Sequence, residues 1–104
     1  MNPWVMLVIA GLLECGWAIG LKYTEGFTKP LPSVLTGIAV VGSFWLLSAA
    51  LRDLPVGTAY AVWVGIGAVG TATLAVILFD EPVNAMRIGG IALIVAGIAA
   101  LKFA

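Results

Sequence analysis

The chain has 104 residues, of which 62% are hydrophobic and 10% are charged, with five basic and five acidic side chains and no histidine. A mean hydropathy of +1.16 lies far outside the usual range of soluble domains and predicts an integral membrane protein. The net charge of zero, without a basic patch, excludes nucleic acid as an expected partner, and the composition gives no support for enzyme chemistry, a metal site or a cofactor.

The first predicted element is an apolar run over residues 4–21, which ends at Lys22 and a turn-like segment rich in glycine and proline. It is expected to be a membrane helix rather than a cleaved signal peptide, because no basic residue precedes it and three further apolar runs follow. Its single charged residue is Glu14.

Three more apolar runs follow, separated by charges and prolines. The second ends at Arg52, the third ends at Asp80, and Asn84 is the expected N-cap of the fourth. A bilayer core about 30 Å thick requires roughly 20 helical residues, which each run approaches or reaches. The predicted fold is therefore all-α, a single membrane domain over residues 1–104 with four transmembrane helices. The predicted helices are 4–21, 33–51, 57–79 and 85–102.

Glu14 is the leading candidate for a functional residue. A charged side chain at the centre of a membrane helix costs about 2.5 to 3.5 kcal/mol on insertion scales, so an acid there is treated as functional by default. A carboxyl group in this position can bind a proton and a positively charged substrate in turn. The alternative is a structural acid that stays protonated and hydrogen-bonded between helices.

Two residues on the helix face of Glu14 favour a binding site. Gly11 lies one turn before it and leaves space, whereas Trp17 lies one turn after it. The indole N–H of Trp17 can donate to a carboxylate, and its ring can face a cation. Simple helix packing is the alternative for this tryptophan.

The second and third runs add further candidates near mid-membrane. Ser43 either donates a hydrogen bond to Glu14 or bonds to its own helix backbone. Tyr60 and Trp63 share one helix face that continues to Gly67, so two aromatic side chains with polar tips are followed by bare backbone. The glycines of this run either allow close packing or mark a bend that moves during transport.

The fourth run carries the candidate contact surface for a second copy. Gly90 and Gly97 are seven positions apart, and Leu93 and Ile94 lie between them on or near the same side. Small residues at this spacing let helices approach closely in lipid, although glycine is also common in membrane helices generally. The four short helices of one subunit enclose a substrate cavity less easily than the helices of two subunits together, so a homodimer is expected.

Basic residues are almost evenly divided between the two sides of the membrane. One side holds Arg52 and Lys102, and the other holds Lys22, Lys29 and Arg87. The positive-inside rule then has little bias to act on, so the chain can insert in both orientations. In that case the natural dimer is antiparallel, with the inverted symmetry from which many transporters build alternating access.

The whole chain resembles the small multidrug resistance family. The similarity is carried by "AGLLECGWAIGLKYTEGFT", "SFWLLSAAL", "LPVGTAYAVWVGIGAVGT", "EPVNAMRI" and "GIALIVAGI". The resemblance implies a proton-coupled exporter of the bacterial cytoplasmic membrane. It also implies an antiparallel, dual-topology homodimer in which two Glu14 carboxylates form one central site.

Within the family the chain is similar to the guanidinium-exporter subtype, because Trp17 stands where quaternary-ammonium exporters typically have glycine. Gly11 and Ser43 support this similarity. It implies export of guanidinium and small guanidinyl cations in exchange for protons. The implied site residues are Glu14, the orienting residues Trp17 and Ser43, and the cavity-lining residues Tyr60 and Trp63.

Two features depart from the subtype. Val64 stands where a small hydroxyl residue is usual, and Cys15 and Gly16 are smaller than the bulky residues expected there. A looser site would admit larger substrates, so the alternative function is a promiscuous exporter of quaternary ammonium and other lipophilic cations. A rotor-ring subunit, the alternative from a different class, would need a two-helix hairpin, and four apolar runs argue against it.

Overall fold

The computed structural model describes residues 2–104, in which all regular secondary structure is helical. The helices are α1 (Pro3–Tyr23), α2 (Pro30–Ala50), α3 (Val56–Phe79) and α4 (Ala85–Phe103). Each is long and apolar enough to cross a bilayer. The prediction of an all-α protein with four membrane-spanning helices is therefore confirmed.

The largest error in the predicted bounds is at the start of α2, which begins at Pro30 and not at residue 33. Proline is compatible with the first helical turn, and Lys29 takes an extended conformation as the N-cap. Ser33 consequently lies inside the helix, where its hydroxyl donates to the carbonyl oxygen of Lys29 at 2.6 Å. α1 ends at Tyr23 instead of residue 21, and the other bounds agree to within one residue.

Asparagine side chains cap the first and last helices. The Oδ1 of Asn2 accepts from the backbone N–H of Trp4 at 2.8 Å, and the Oδ1 of Asn84 accepts from that of Arg87 at 2.9 Å. Each bond satisfies one of the N–H groups that a helix start leaves without a partner. The N-cap predicted at Asn84 is confirmed.

The four helices form a row and not a closed bundle. α1 packs against α2 and α3, whereas the backbone of α4 comes close to that of α3 alone. The described residues therefore form a slab with extents of 41 × 35 × 18 Å. No residue of α4 is buried, so much of its surface is free of the other three helices.

The apolar core lies toward the membrane side that holds the α2–α3 loop. Its buried members come from the start of α1, the end of α2 and the start of α3. They are Leu7, Ala10, Ala50, Ala59, Val62 and Trp63. Glu14 is one turn beyond Ala10 on α1, so the core supports the helix segment that carries the candidate site.

Candidate functional site

Glu14 lies near the middle of α1 and is partly buried. Its carboxyl group packs against the backbone of α3 at Gly67, in the space that a side chain at that position would fill. Among residues 2–104 no group forms a hydrogen bond or an ion pair with this carboxyl group. It is therefore available to a proton or to a cation.

Cys15 fixes α1 against α3 beside this carboxyl group. Its thiol lies 3.6 Å from the carbonyl oxygens of both Ile66 and Gly67, and its sulfur occupies the space where a side chain at Gly70 would lie. The small size of Cys15 thus serves the contact between the two helices. The expectation that it loosens the site is wrong for this residue, although the neighbouring Gly16 is exposed and has open space around it.

Ser43 joins three helices through hydrogen bonds, and neither bond is to Glu14. Its buried hydroxyl donates to the carbonyl oxygen of Ala10 on α1 at 2.7 Å and accepts from the Nε1 of Trp63 on α3 at 3.0 Å. The predicted bond from Ser43 to Glu14 is wrong within the subunit, because the hydroxyl has a single proton and donates it to Ala10. These bonds hold the turn of α1 that precedes the carboxyl group.

Four aromatic side chains from α1, α2 and α3 lie in a row. The ring centroids are 6.4 Å apart for Trp17 and Phe44, 5.6 Å for Phe44 and Trp63, and 5.7 Å for Trp63 and Tyr60. The first two pairs are edge-to-face contacts, a favoured geometry for aromatic rings. Sequence reasoning missed Phe44, whose available signal was its position beside Ser43 in mid-helix, too deep for an interfacial aromatic residue.

Trp17 does not orient Glu14 within the subunit. Its ring packs toward Phe44 on α2, whereas the carboxyl group of Glu14 packs toward α3, so the two side chains diverge. The indole N–H of Trp17 is buried and has no acceptor among the described residues. Tyr60, at the opposite end of the aromatic row, is 56% exposed.

The space expected at Gly11 is filled from α3. A Cβ atom at Gly11 would lie 2.6 Å from the Cγ2 of Ile66, so this glycine allows α1 and α3 to approach and does not open a cavity. Gly65 has the same effect between α3 and α4, because a Cβ atom there would lie 2.8 Å from the Cδ1 of Ile98. These contacts therefore support close helix packing as the role of the two glycines. α3 continues as one helix through Gly65.

The predicted contact residues of α4 are exposed. Leu93 is 76% exposed, and a Cβ atom added at Gly90 or Gly97 would meet nothing within 4 Å. Ile94 is partly used within the subunit, since its Cγ2 lies 3.4 Å from the Cβ position of Gly65. This face is free for a second copy, and its role in a dimer stays a prediction.

Four membrane-spanning helices, with a partly buried carboxyl group in one helix and a row of aromatic side chains across three, are typical of a small membrane protein that transports cations. Residues 2–94 match the sequence profile described as Small Multidrug Resistance protein. The chain belongs to this family, and it is therefore a multi-pass transporter of the bacterial inner membrane and not an enzyme.

Curated relatives match nearly the whole chain. The guanidinium exporter of Escherichia coli (strain K12) is 58% identical over 99 residues, which cover 95% of this chain and 94% of that protein. The guanidinium exporter of Yersinia pestis is 55% identical over 101 residues, which cover 97% of each chain. The guanidinium exporter of Proteus vulgaris is 54% identical over the same length and coverage.

Proposed function

We propose that this transporter exports guanidinium and small guanidinyl cations across the cytoplasmic membrane in exchange for protons. The observation that carries the proposal is the carboxyl group of Glu14, which lies in mid-membrane and has no hydrogen-bond or ion-pair partner among residues 2–104. Intramembrane acids of this kind mark proton and ion pathways. The three relatives described above, each named a guanidinium exporter, support the choice of cation.

Guanidinium is chemically suited to this site. It is planar, stays charged near neutral pH and has several N–H donors, so it can bond bidentately to carboxylates. Its flat face can also stack on aromatic rings, which the row from Trp17 to Tyr60 supplies. A quaternary ammonium ion has no N–H donor and would depend on aromatic faces and open volume alone.

The functional unit in this proposal is an antiparallel homodimer with two Glu14 carboxylates at one central site. The described residues form a slab 18 Å thick, and a second copy placed against it would supply a further wall around the substrate. The exposed face of α4 with Gly90, Leu93 and Gly97 offers a contact surface of the kind used between membrane helices.

The residues around Glu14 have separate roles in the proposal. Trp17 offers its indole N–H, which has no acceptor in the described part of the subunit, to a carboxylate of the dimer. Tyr60 extends from the exposed end of the aromatic row into the shared cavity. Ser43 and Trp63 maintain the walls by joining α1, α2 and α3.

Competition for the Glu14 carboxylates would couple guanidinium transport to proton transport. Protons and guanidinium would compete for the paired carboxylates, and only an occupied dimer would exchange its inward-open and outward-open forms. In an antiparallel pair of identical chains these two forms have equal energy by symmetry, so each is populated without a large bias. Repeated exchange would move guanidinium out as protons move in.

Proton-coupled currents in proteoliposomes test this function. We expect guanidinium to give a current far above that of a tetraalkylammonium ion, and Glu14→Gln to abolish it because the amide keeps the shape but loses the charge. Glu25→Gln is the matched control, since Glu25 is exposed in the α1–α2 loop beside Lys29 at 3.6 Å and should be dispensable for the current.

The other outcomes are also informative. Comparable currents for guanidinium and the tetraalkylammonium ion would favour the promiscuous lipophilic-cation exporter, whose larger substrates the open space at Gly16 would accommodate. A one-for-one exchange moves no net charge, so the internal pH of the proteoliposomes is recorded together with the current. The absence of both a current and a cation-driven pH change with the wild-type protein would overturn the transport reaction proposed here.

A further inference from the structure

We infer that Gly67 is a positioning residue for Glu14, and that its missing side chain sets where the carboxylate lies between α1 and α3. The inference rests on the proposed function, in which this carboxylate binds the proton and the guanidinium ion. Gly67 would then contribute to substrate binding although it has no functional group of its own.

The carboxyl group occupies the volume that a side chain at Gly67 would need. A Cβ atom there would lie 2.7 Å from the Cγ of Glu14 and would overlap its carboxyl carbon and Oε1. Gly67 is buried, so the added methyl group would have no free volume on another side. Even alanine at this position therefore requires the carboxyl group to move away from α3.

Contacts on both sides of Glu14 prevent α1 from moving as a unit. The thiol of Cys15 lies 3.6 Å from the carbonyl oxygens of Ile66 and Gly67. One turn earlier, a Cβ atom at Gly11 would lie 2.6 Å from the Cγ2 of Ile66, so the two helices are already in close contact there. The displacement would consequently fall on the Glu14 side chain.

Gly67 differs in this respect from the other crowded glycines of α3. Gly65 faces the end of the Ile98 side chain on α4, and Gly70 faces the sulfur of Cys15. If these glycines acted through helix flexibility, alanine substitutions at Gly65 and Gly67 would change transport to a similar extent. If Gly67 positions the carboxylate, the alanine substitution at Gly67 alone would change guanidinium binding, and the size of the change would depend on whether the acid at position 14 is glutamate or the shorter aspartate.

Displacement of the carboxylate should weaken guanidinium binding more than it slows exchange. Bidentate contact requires accurate placement, and a misplacement of about 1 Å can cost a factor of about one hundred in rate. We expect Gly67→Ala to raise the KM for guanidinium by about tenfold or more, with a smaller decrease in kcat.

A double-mutant cycle with Glu14→Asp separates positioning from a structural effect. Aspartate is one methylene shorter, so its carboxyl group can lie beside a methyl group at position 67. Gly67→Ala combined with Glu14→Asp should therefore have a lower KM than Gly67→Ala alone, a strongly non-additive result. Gly65→Ala is the matched control, because it adds the same methyl group to the same helix and should gain nothing from Glu14→Asp.

Guanidinium currents in proteoliposomes give KM and kcat for each variant. An unchanged KM in Gly67→Ala, an additive cycle, or equal rescue of both glycine variants would overturn the inference. If Gly67→Ala alone does not fold, recovery of a folded, transporting double variant supports the inference, and a double variant that also fails to fold overturns it. Absence of guanidinium transport by the wild type would overturn the proposed function, and this inference with it, whereas wild-type transport with an additive cycle overturns this inference alone.

Discussion

At the scale of single residues, Ser43 supplies the polar contact that connects the core helices. Its hydroxyl is the acceptor for the buried Nε1 of Trp63 and the donor to Ala10. Leaving a buried donor without an acceptor costs about 1 to 3 kcal/mol in proteins, and single side-chain hydrogen bonds in membranes average about 0.6 kcal/mol. We expect Ser43→Ala to lower the free energy of unfolding by about 1 kcal/mol, as measured by denaturation in mixed micelles.

Ser48→Ala is the control for this prediction, because Ser48 is exposed on the same helix. It should change the free energy of unfolding by less than about 0.5 kcal/mol. Equal stability of the two variants would contradict the importance of the bond between Trp63 and Ser43.

Competition at Glu14 predicts a pH dependence with a definite sign. A protonated carboxyl group is neutral and attracts guanidinium weakly, so the apparent KM should rise as the pH is lowered. In the pH range in which the substrate-free carboxyl groups are protonated, the rise should be about tenfold per pH unit if one proton is displaced per guanidinium ion and about a hundredfold if two are displaced, and at higher pH the KM should become constant. The measurement is KM in proteoliposomes with the same pH on both sides, taken from alkaline to acidic pH, and a KM that stays constant over the whole range would contradict competition.

At the scale of helices, α4 differs from the others because its backbone comes close to that of α3 alone and none of its residues is buried. A Cβ atom added at Gly97 would have no contact within 4 Å among residues 2–104 outside its own helix backbone, so a larger side chain there has space to extend from the subunit. We therefore expect Gly97→Leu to preserve the fold of the subunit but to weaken the dimer, which depends on close approach of small residues. Dilution in detergent, followed by energy transfer between labelled subunits, measures this effect.

Ala99→Leu is the matched control on the same helix. Ala99 is exposed and lies about half a turn away from the face of Gly90 and Gly97. Dissociation of both variants at the same concentration would show that the contact surface is not the one proposed.

At the scale of the whole molecule, the even distribution of basic residues predicts that orientation is easily biased. Thr28→Lys with Val83→Lys adds two positive charges to the side that already holds three, whereas Asp53→Lys with Ala104→Lys adds two to the opposite side. Each pair of substitutions should give one orientation and little transport alone. The two variants together should transport, because they can form antiparallel dimers.

Labelling of a cysteine introduced at Glu25 reports the orientation, and the native Cys15 is buried between helices. The wild type should be labelled from both sides of the membrane. Full transport by a variant with a single orientation would contradict the antiparallel dimer.

Several features of the molecule followed from the sequence. The number and type of the helices follow from apolar runs of about 20 residues, because the thickness of the bilayer sets that length. Glu14 could be predicted to be a functional residue because placing an acid in an apolar membrane helix costs free energy. Asn84 was identifiable because an asparagine side chain before a helix can replace a missing backbone acceptor.

Other features depended on which helices become neighbours. Periodicity shows which residues share a face of one helix, but it does not show the partner that the face meets. The hydroxyl of Ser43 is therefore bonded to Ala10 and Trp63 and not to Glu14, and the space at Gly11 is filled by Ile66.

The sequence by itself determined that this protein is a four-helix membrane protein with an acid in mid-membrane, because hydration and bilayer thickness act on each segment independently of the others. Only the tertiary structure decided that the acid lies against the bare backbone of Gly67, that Phe44 completes the aromatic row and that no residue of α4 is buried. These contacts depend on helix rotation, offset and spacing, which are properties of packed pairs and not of single segments.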